Sequence, residues 1–399
     1  MKSDRLAIGF VPLVDAAPLI VAHEMGFAAE EGLFFELHRA PSWSALRDRL
    51  SFGHLDAAHM LAPVPVAAAM GLGGSGAQLD VLSVLSMNGT VIGVSNTLAE
   101  QLHDYGHSFD FQNAQAAGQA LIAVCQKPLR IGVPFPFSMH AELVCYWLTA
   151  LGFPAPENLD IRTIPPQLMV DAVKASEIDA FCVGEPWGSK VVASGCGTLL
   201  LPCNAIWAFA PEKVLTVRHD WIKPNTELNH RLIRATWRAR RWLAQPSSMT
   251  LTAELLSRPE YLDVDAEIIE CALSGQFTIS EQGDQRNVPG FVEFHKGAAG
   301  FPWRSQAEWI AHQLAHRTGL DPQEAAKRAQ SVFRTDLHRE ALRATAADLP
   351  GASSKCEGAL SDDSEAPSHR GRVVLQRDAF FDGRIFEPLP FDPHKILAK

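Results

Sequence analysis

Seven cysteines are scattered through the 399 residues, yet there is no C-x-x-C pair and no cysteine–histidine cluster at zinc spacing. Their absence excludes a zinc-ribbon module and a disulfide framework, and leaves reduced, mostly buried thiols as the expectation. No run of eighteen apolar residues free of charge occurs, which argues against a membrane-spanning helix. The opening stretch MKSDRLAIGFVPLVDAAPL has no basic region followed by an unbroken apolar core and a small-residue cleavage site, so the expected location is the cytoplasm. Positive charge is in deficit. With 35 Lys and Arg against 45 Asp and Glu, the net charge of −10 disfavours a broad nucleic-acid face and docking on anionic lipid. Any anion site must therefore be built locally, from a few groups.

Enzyme signatures are missing too. Gly71–Gly76 reads GLGGSG, but no Lys-Ser/Thr follows and no dinucleotide-binding helix opens from it, so it reads as a glycine-rich turn. His23-Glu24 begins like a zinc-protease motif, yet Phe27 stands where the second histidine is required. No G-x-S-x-G serine elbow is present. The expectation is a non-enzymatic protein without a cofactor or metal.

What is present is a long chain with 47% hydrophobic residues, enough for two lobes. Short β-branched runs alternate with amphipathic segments through the first half, the pattern of strand–helix units in a mostly parallel sheet. Strands are expected near Leu6–Val11, Phe34–Ala40, Ala57–Met60, Val81–Leu85, Val91–Ser95, Leu129–Val133, Asp160–Ile164, Ala180–Val183 and Val214–Val217. After about Thr226 the spacing of apolar residues becomes helical. The polar, Ala/Gln-rich stretch His103–Gln126 reads as a loop, and Ala347–Gly371 has the composition of a flexible linker. Beyond it, the apolar segment Val373–Pro393 either packs back on the body or meets a partner.

One layout recurs four times: a strand ends, a short Pro- or Ser-bearing turn follows, and a helix opens with a residue able to face a ligand. Crevices at the carboxyl ends of strands are where open α/β sheets bind ligands. The first has Pro41, Ser42 as N-cap and Trp43 in the opening turn. The second has PFPF, Ser138 as cap and His140 in the first turn. The third has Pro165-Pro166, with Pro166 suited to the first helical position. The fourth follows Ala180–Val183 with Gly184-Glu185-Pro186-Trp187. Converging helix N-termini suit a small planar oxyanion, to which Trp43 adds a flat wall and an indole donor, His140 a donor, and Lys213 a positive charge. Taken singly, Trp43 reads as core, His140 as a capped histidine and Lys213 as a solvated lysine.

The segments IGFVPLVDAAPLIVAHEMGFAAEEGL, PSWSALRDRL, SMNGTVIGVS, KPLRIGVPFPFSMHAELVCYWLTALG, IPPQLMVDAVKASEIDAFCVGEPWGSK, APEKVL and LSRPEYLDV resemble the nitrate/bicarbonate-binding proteins of ABC importers over roughly residues 5–345. That resemblance implies an α/β, two-lobed periplasmic-binding-protein (type II) fold with a ligand cleft between the lobes and a helical C-terminal half. It places residues 1–96 in lobe one, 97–210 in lobe two and 211–346 in the return to lobe one, with a linker at 347–371 and a C-terminal segment at 372–399. It also implies a nitrate pocket lined by Trp43, Thr90, His140, Pro166, Val183 and Lys213, with Gly89 beside Thr90 able to donate. At Thr90 the importer members carry glutamine or asparagine instead.

Importer members begin with an export signal and a lipid-attachment cysteine, whereas this sequence opens on its first strand. It therefore resembles most the cytoplasmic nitrate-sensor (NasS-type) members, which implies nitrate or nitrite as ligand. The implied partner is an ANTAR-type RNA-binding antiterminator (NasT-type), held until the anion arrives. The other reading is the substrate-binding component of a nitrate or bicarbonate importer. Nitrate needs only donors and positive charge, while bicarbonate also wants an acceptor, for which Glu212 and Glu142 stand near the expected site. On this reading Lys213→Ala weakens anion binding with little loss of fold.

Overall fold

The computed structural model describes residues 4–74, 76–126 and 128–390. Its first sheet uses β1 (Asp4–Phe10), β2 (Leu33–Arg39), β3 (Ala57–Leu61) and β4 (Leu79–Asn88), and its second uses β5 (Thr90–Ser95), β6 (Leu129–Val133), β7 (Leu159–Thr163), β8 (Ala180–Gly184) and β9 (Gly197–Pro202). β10 (Pro211–Arg218) returns to the first sheet, whose strand order is the short strand Val292–Glu293, then β4-β10-β3-β1-β2. The second runs β7-β6-β8-β5-β9. In each, a parallel core (β2-β1-β3 and β7-β6-β8) is joined by antiparallel strands that carry the chain between lobes. The nine expected strands all form, most of them as short apolar runs rich in β-branched residues, with β2 (LFFELHR) and β3 (AAHML) held by burial and pairing instead.

The chain crosses between lobes earlier than expected. β5 pairs with β8 and β9, so the crossing lies at Asn88–Gly89 and not at the 96/97 boundary. Asn88 adopts φ +58° and Gly89 φ +94°, a left-handed pair that glycine and asparagine tolerate best. The Asn88 side chain then clamps the return crossing, donating to Ala208 O at 3.0 Å and accepting from Ala210 N–H at 3.0 Å. One residue thereby ties both crossovers together.

Two further expectations are corrected. The stretch His103–Gln126 is not a loop: it contains the end of a helix Asn96–Asp104 and a full helix Ala114–Val124, capped by Asn113 through Ala116 N–H at 3.0 Å. Alanine and glutamine are good helix formers, and the buried face Ala117, Ala120 and Leu121 packs on the core. Nor is 347–371 a flexible linker. It enters a hairpin of Ser364–Ser368 with Gly371–Leu375, and Lys355 pairs with Glu357 at 2.6 Å and with Asp378, both carboxylates being buried. Phe380 stacks on Trp207 and Trp309, at centroid distances of 4.8 and 5.7 Å. The C-terminal segment thus packs on its own chain up to residue 390, while 391–399 lies outside the described residues.

The helical half does more than complete lobe one. Helix Thr226–Leu243 lays Leu232, Ile233, Ala235 and Ala239 on the first sheet, against Leu6, Leu82 and Leu215. Helix Arg304–Thr318 reaches across to the second lobe, where Arg317 pairs with Glu142 at 2.7 Å. No helix among the described residues is long and apolar enough to cross a membrane.

A linker would tolerate loss of Lys355, but a buried ion cluster would not. Lys355→Ala leaves Glu357 and Asp378 unpaired inside the protein and is expected to cost about 3–5 kcal/mol. Denaturant unfolding of the full chain measures this, and an unchanged midpoint contradicts it.

Candidate anion-binding site

The expected caps form. Ser42 accepts from Ala45 N–H at 3.3 Å and opens helix Trp43–Ser51, while Ser138 accepts from Ala141 N–H at 3.2 Å and opens helix Met139–Ala150. Pro166 starts the 3-10 turn Pro166–Leu168 after β7. Trp43 therefore occupies the first position of its helix and His140 the second of its own. Lys213 on β10 sits opposite Leu61 at the end of β3, and Thr90 sits opposite Gly184 at the end of β8. Trp43, Thr90, His140, Val183 and Lys213 are at most 1% exposed, and Gly89 and Pro166 are buried as well.

The lobes are closed on one another here. Val14 N–H from the loop after β1 donates to Glu185 O at 2.9 Å, and Trp187 Nε1 donates to Pro12 O at 2.8 Å. Gly184 lies against this contact, and a Cβ there would fall 2.8 Å from Leu13 Cδ2, so that methyl would have to shift.

The ammonium of Lys213 lies 2.8 Å from Asp15 Oδ2, 2.8 Å from Glu212 Oε1 and 5.6 Å from the Trp43 ring centre. His59 Nε2 is 2.9 Å from Asp15 Oδ1 and its ring packs on Trp43, while His140 Nδ1 from the second lobe is 3.3 Å from Glu212 Oε1. The structure thus links Trp43, His140 and Lys213 in one cluster, while Thr90 opens β5, Val183 lies next to the end of β8, and Pro166 opens the turn after β7. Asp15 and His59 were missed in the sequence. Each is a polar residue inside an apolar run, VPLVDAAPL and AAHML, and that interruption is the signal that was there to read. Glu142 does not serve the cluster, because its carboxylate is taken by Arg317 at 2.7 Å.

Burial and charge set the protonation states. Burial pushes the Asp15 carboxyl up, but the Lys213 charge and the His59 hydrogen bond outweigh it and hold the group down at about 2. Burial dominates at Glu212 and raises it to about 7 despite Lys213. Burial also lowers His140 well below the usual imidazole range, with Lys213 adding to the effect. Burial lowers His59 too, against the pull of Asp15. At neutral pH the Lys213 and Asp15 charges offset one another, and both imidazoles are neutral donors. His140 therefore acts without charge. Several buried polar atoms remain unused within the protein: Trp43 Nε1, Thr90 Oγ1 and both ring nitrogens of His140, one of which carries the N–H of the neutral imidazole. Unpaired buried polar groups of this kind cost stability unless a ligand satisfies them. Among the described residues, no group of three or more His, Cys, Asp or Glu side chains is arranged to hold a metal ion.

Lys213 holds two buried carboxylates, which corrects the expectation that its loss spares the fold. Lys213→Ala strands two buried carboxylates and is expected to destabilise the protein by about 3–5 kcal/mol, readable by thermal or denaturant unfolding. Thr90→Val is the cleaner probe. Its hydroxyl has no partner in the protein, so removing it should leave the melting temperature unchanged or raised while weakening anion binding by about 1–3 kcal/mol. A loss of stability with unchanged affinity would remove Thr90 from the site.

Residues 1–257 match the model of the NMT1-like family. The nitrate/nitrite binding protein NrtA of Synechocystis sp. is 30% identical over 391 residues, covering 96% of this chain and 82% of that protein. The bicarbonate transport ATP-binding protein CmpC of Synechococcus elongatus is 34% identical over 318 residues, 79% of this chain but only 45% of that longer protein. The crystal structure of the periplasmic nitrate-binding protein NrtA from Synechocystis PCC 6803 superposes with a TM-score of 0.82 at 27% identity, covering 97% of this chain and 96% of that one. The two closed lobes and the match over residues 1–257 establish that the chain belongs to the NMT1-like family and has the periplasmic-binding-protein fold.

Proposed function

We propose that this protein is a nitrate-binding protein, the solute-binding component of an importer, which closes its lobes around one planar oxyanion. The observation that carries the reading is the set of buried polar atoms without partners, Trp43 Nε1, Thr90 Oγ1 and the His140 ring nitrogens, of which Trp43 and His140 belong to the Lys213–Glu212 cluster. Trp43, Gly89, Thr90, His140, Pro166, Val183 and Lys213 line the pocket in this reading. The donors fix the anion's plane, the flat indole and apolar Pro166 and Val183 exclude water, and Lys213 supplies charge. Donors held in place by the fold need no reorganisation when the ligand enters.

Nitrate is favoured over bicarbonate because a nitrate-binding relative aligns along nearly the whole chain, whereas the bicarbonate-transport relative aligns with part of it. Glu212 would be the acceptor if the ligand carried a proton. A cytoplasmic sensor that releases an ANTAR-type antiterminator on binding nitrate or nitrite would use the same closure. Similarity through the C-terminal segment to an importer's binding protein supports the importer reading better.

Calorimetry with nitrate, nitrite and bicarbonate tests the ligand. One nitrate per chain is expected, with bicarbonate at least roughly tenfold weaker, a difference of about 1.4 kcal/mol. No nitrate heat, or a preference for bicarbonate, contradicts the proposal. Recovery of an RNA-binding partner that nitrate dissociates would replace the importer role with the sensor role.

A further inference from the structure

A second pocket, of about 300 Å³, shares no residue with the cluster around Lys213. It lies between helix Thr226–Leu243, the loop through Gly300, and the strap Ala346–Pro350. Arg240 lines it and is 1% exposed. Its Nη1 makes one long bond, 3.5 Å to Phe294 O, its Nε has no partner, and among the described residues no carboxylate pairs with it. The backbone of Gly300 is laid so close that a Cβ there would fall 1.3 Å from Arg240 Nη1. Glycine at 300 thus makes room for a guanidinium that no carboxylate among the described residues pairs with.

The neighbours do not answer that charge. His295 and His338 line the same pocket, and burial, aided by the Arg240 charge, lowers them to about 4 and about 3, so both are neutral. Arg241 at the rim stacks over Trp237 at 4.7 Å and adds positive charge. Arg339, over the Phe301 ring at 4.8 Å, is cationic as well. The one acid in the lining, Asp348, is already engaged, accepting from Ser368 Oγ at 2.8 Å and from Arg370 N–H at 3.0 Å. A buried guanidinium without a counter-charge is unfavourable, and a planar fork of donors matches a carboxylate. The remaining walls are apolar, from Trp237, Phe301, Leu349 and Val373. An inorganic oxyanion would leave most of that space unfilled.

We infer that this pocket is a second ligand site, for a small organic carboxylate whose charge pairs with Arg240 and whose apolar body lies against Trp237 and Phe301. Its volume is at the lower end of small-molecule sites, which run from about 300 to 1,000 Å³. The ligand is therefore a compact monocarboxylate.

Benzoate, butanoate and pyruvate are the probes, with benzamide as the uncharged control, in calorimetry and thermal unfolding of the full chain. At least one carboxylate should bind one per chain and raise the melting temperature, with benzamide roughly tenfold weaker or worse. Arg240→Met replaces the unpaired cation with an apolar chain. It should abolish the carboxylate response, keep the melting temperature at or above that of the parent, and keep the nitrate response. Ala346→Trp, at an exposed lining position, should block the carboxylate while Arg240 is retained. If no carboxylate binds better than benzamide, or if binding survives both substitutions, the site is overturned. The nitrate response is read separately, so failure here leaves the oxyanion reading standing.

Discussion

A lysine ammonium held between two carboxylates, with no exposure to solvent, is the constraint on which the rest of the molecule depends. Lys213 and Glu212 come from β10, Asp15 from the loop after β1, and His140 from the other lobe. Bringing them together requires both crossovers and closed lobes. A buried ion cluster survives only if its geometry is satisfied, so small errors in lobe placement are costly. The charge of Lys213 is also largely answered within the protein. On the proposed reading, an anion there would meet neutral donors fixed by the fold more than a free cation. This sets the site apart from a basic patch and fits a chain of net charge −10.

Closure is supported well beyond the Lys213 cluster. Arg317 joins the helical half to Glu142 of the second lobe, and Tyr146 on the same second-lobe helix donates to Asp382 in the C-terminal segment at 2.8 Å. The stack of Trp207, Phe380 and Trp309 lies beside the return crossing. Any opening motion about the crossovers must carry these bonds along or break them. Lobe two is thus held by the crossovers on one side and by the C-terminal half on the other.

Much of this was legible in the sequence, for reasons that differ by element. Most strands announce themselves as apolar, β-branched runs, and Ser42, Ser138 and Pro166 mark helix starts because capping chemistry is local. Lys213 and His140 stood out by position, but not the protonation state of His140, which depends on burial and on a charge 73 positions further along the chain. The helix Ala114–Val124 was hidden by polar glutamines outside its buried face. The segment 347–371 has the composition of a disordered chain, and only the three-dimensional pairing of Lys355 with Glu357 and Asp378 gives it a place. Asp15 and His59 required noticing polar residues inside apolar runs, and their partnership with Lys213 is tertiary.

The most direct test of this account concerns a proton. Glu212, raised by burial to about 7, is partly ionised at neutral pH, and an anion arriving beside it favours the protonated carboxyl. Binding then raises the Glu212 pKa further, so affinity is greatest below pH 7 and falls as pH rises through and above it, by up to about tenfold per unit. Nitrate calorimetry at pH 8, in buffers with different ionisation enthalpies, counts the protons taken up. The account predicts uptake approaching roughly one proton per nitrate, lost in Glu212→Gln. Heats independent of the buffer, with affinity flat from pH 6 to 8, would contradict it.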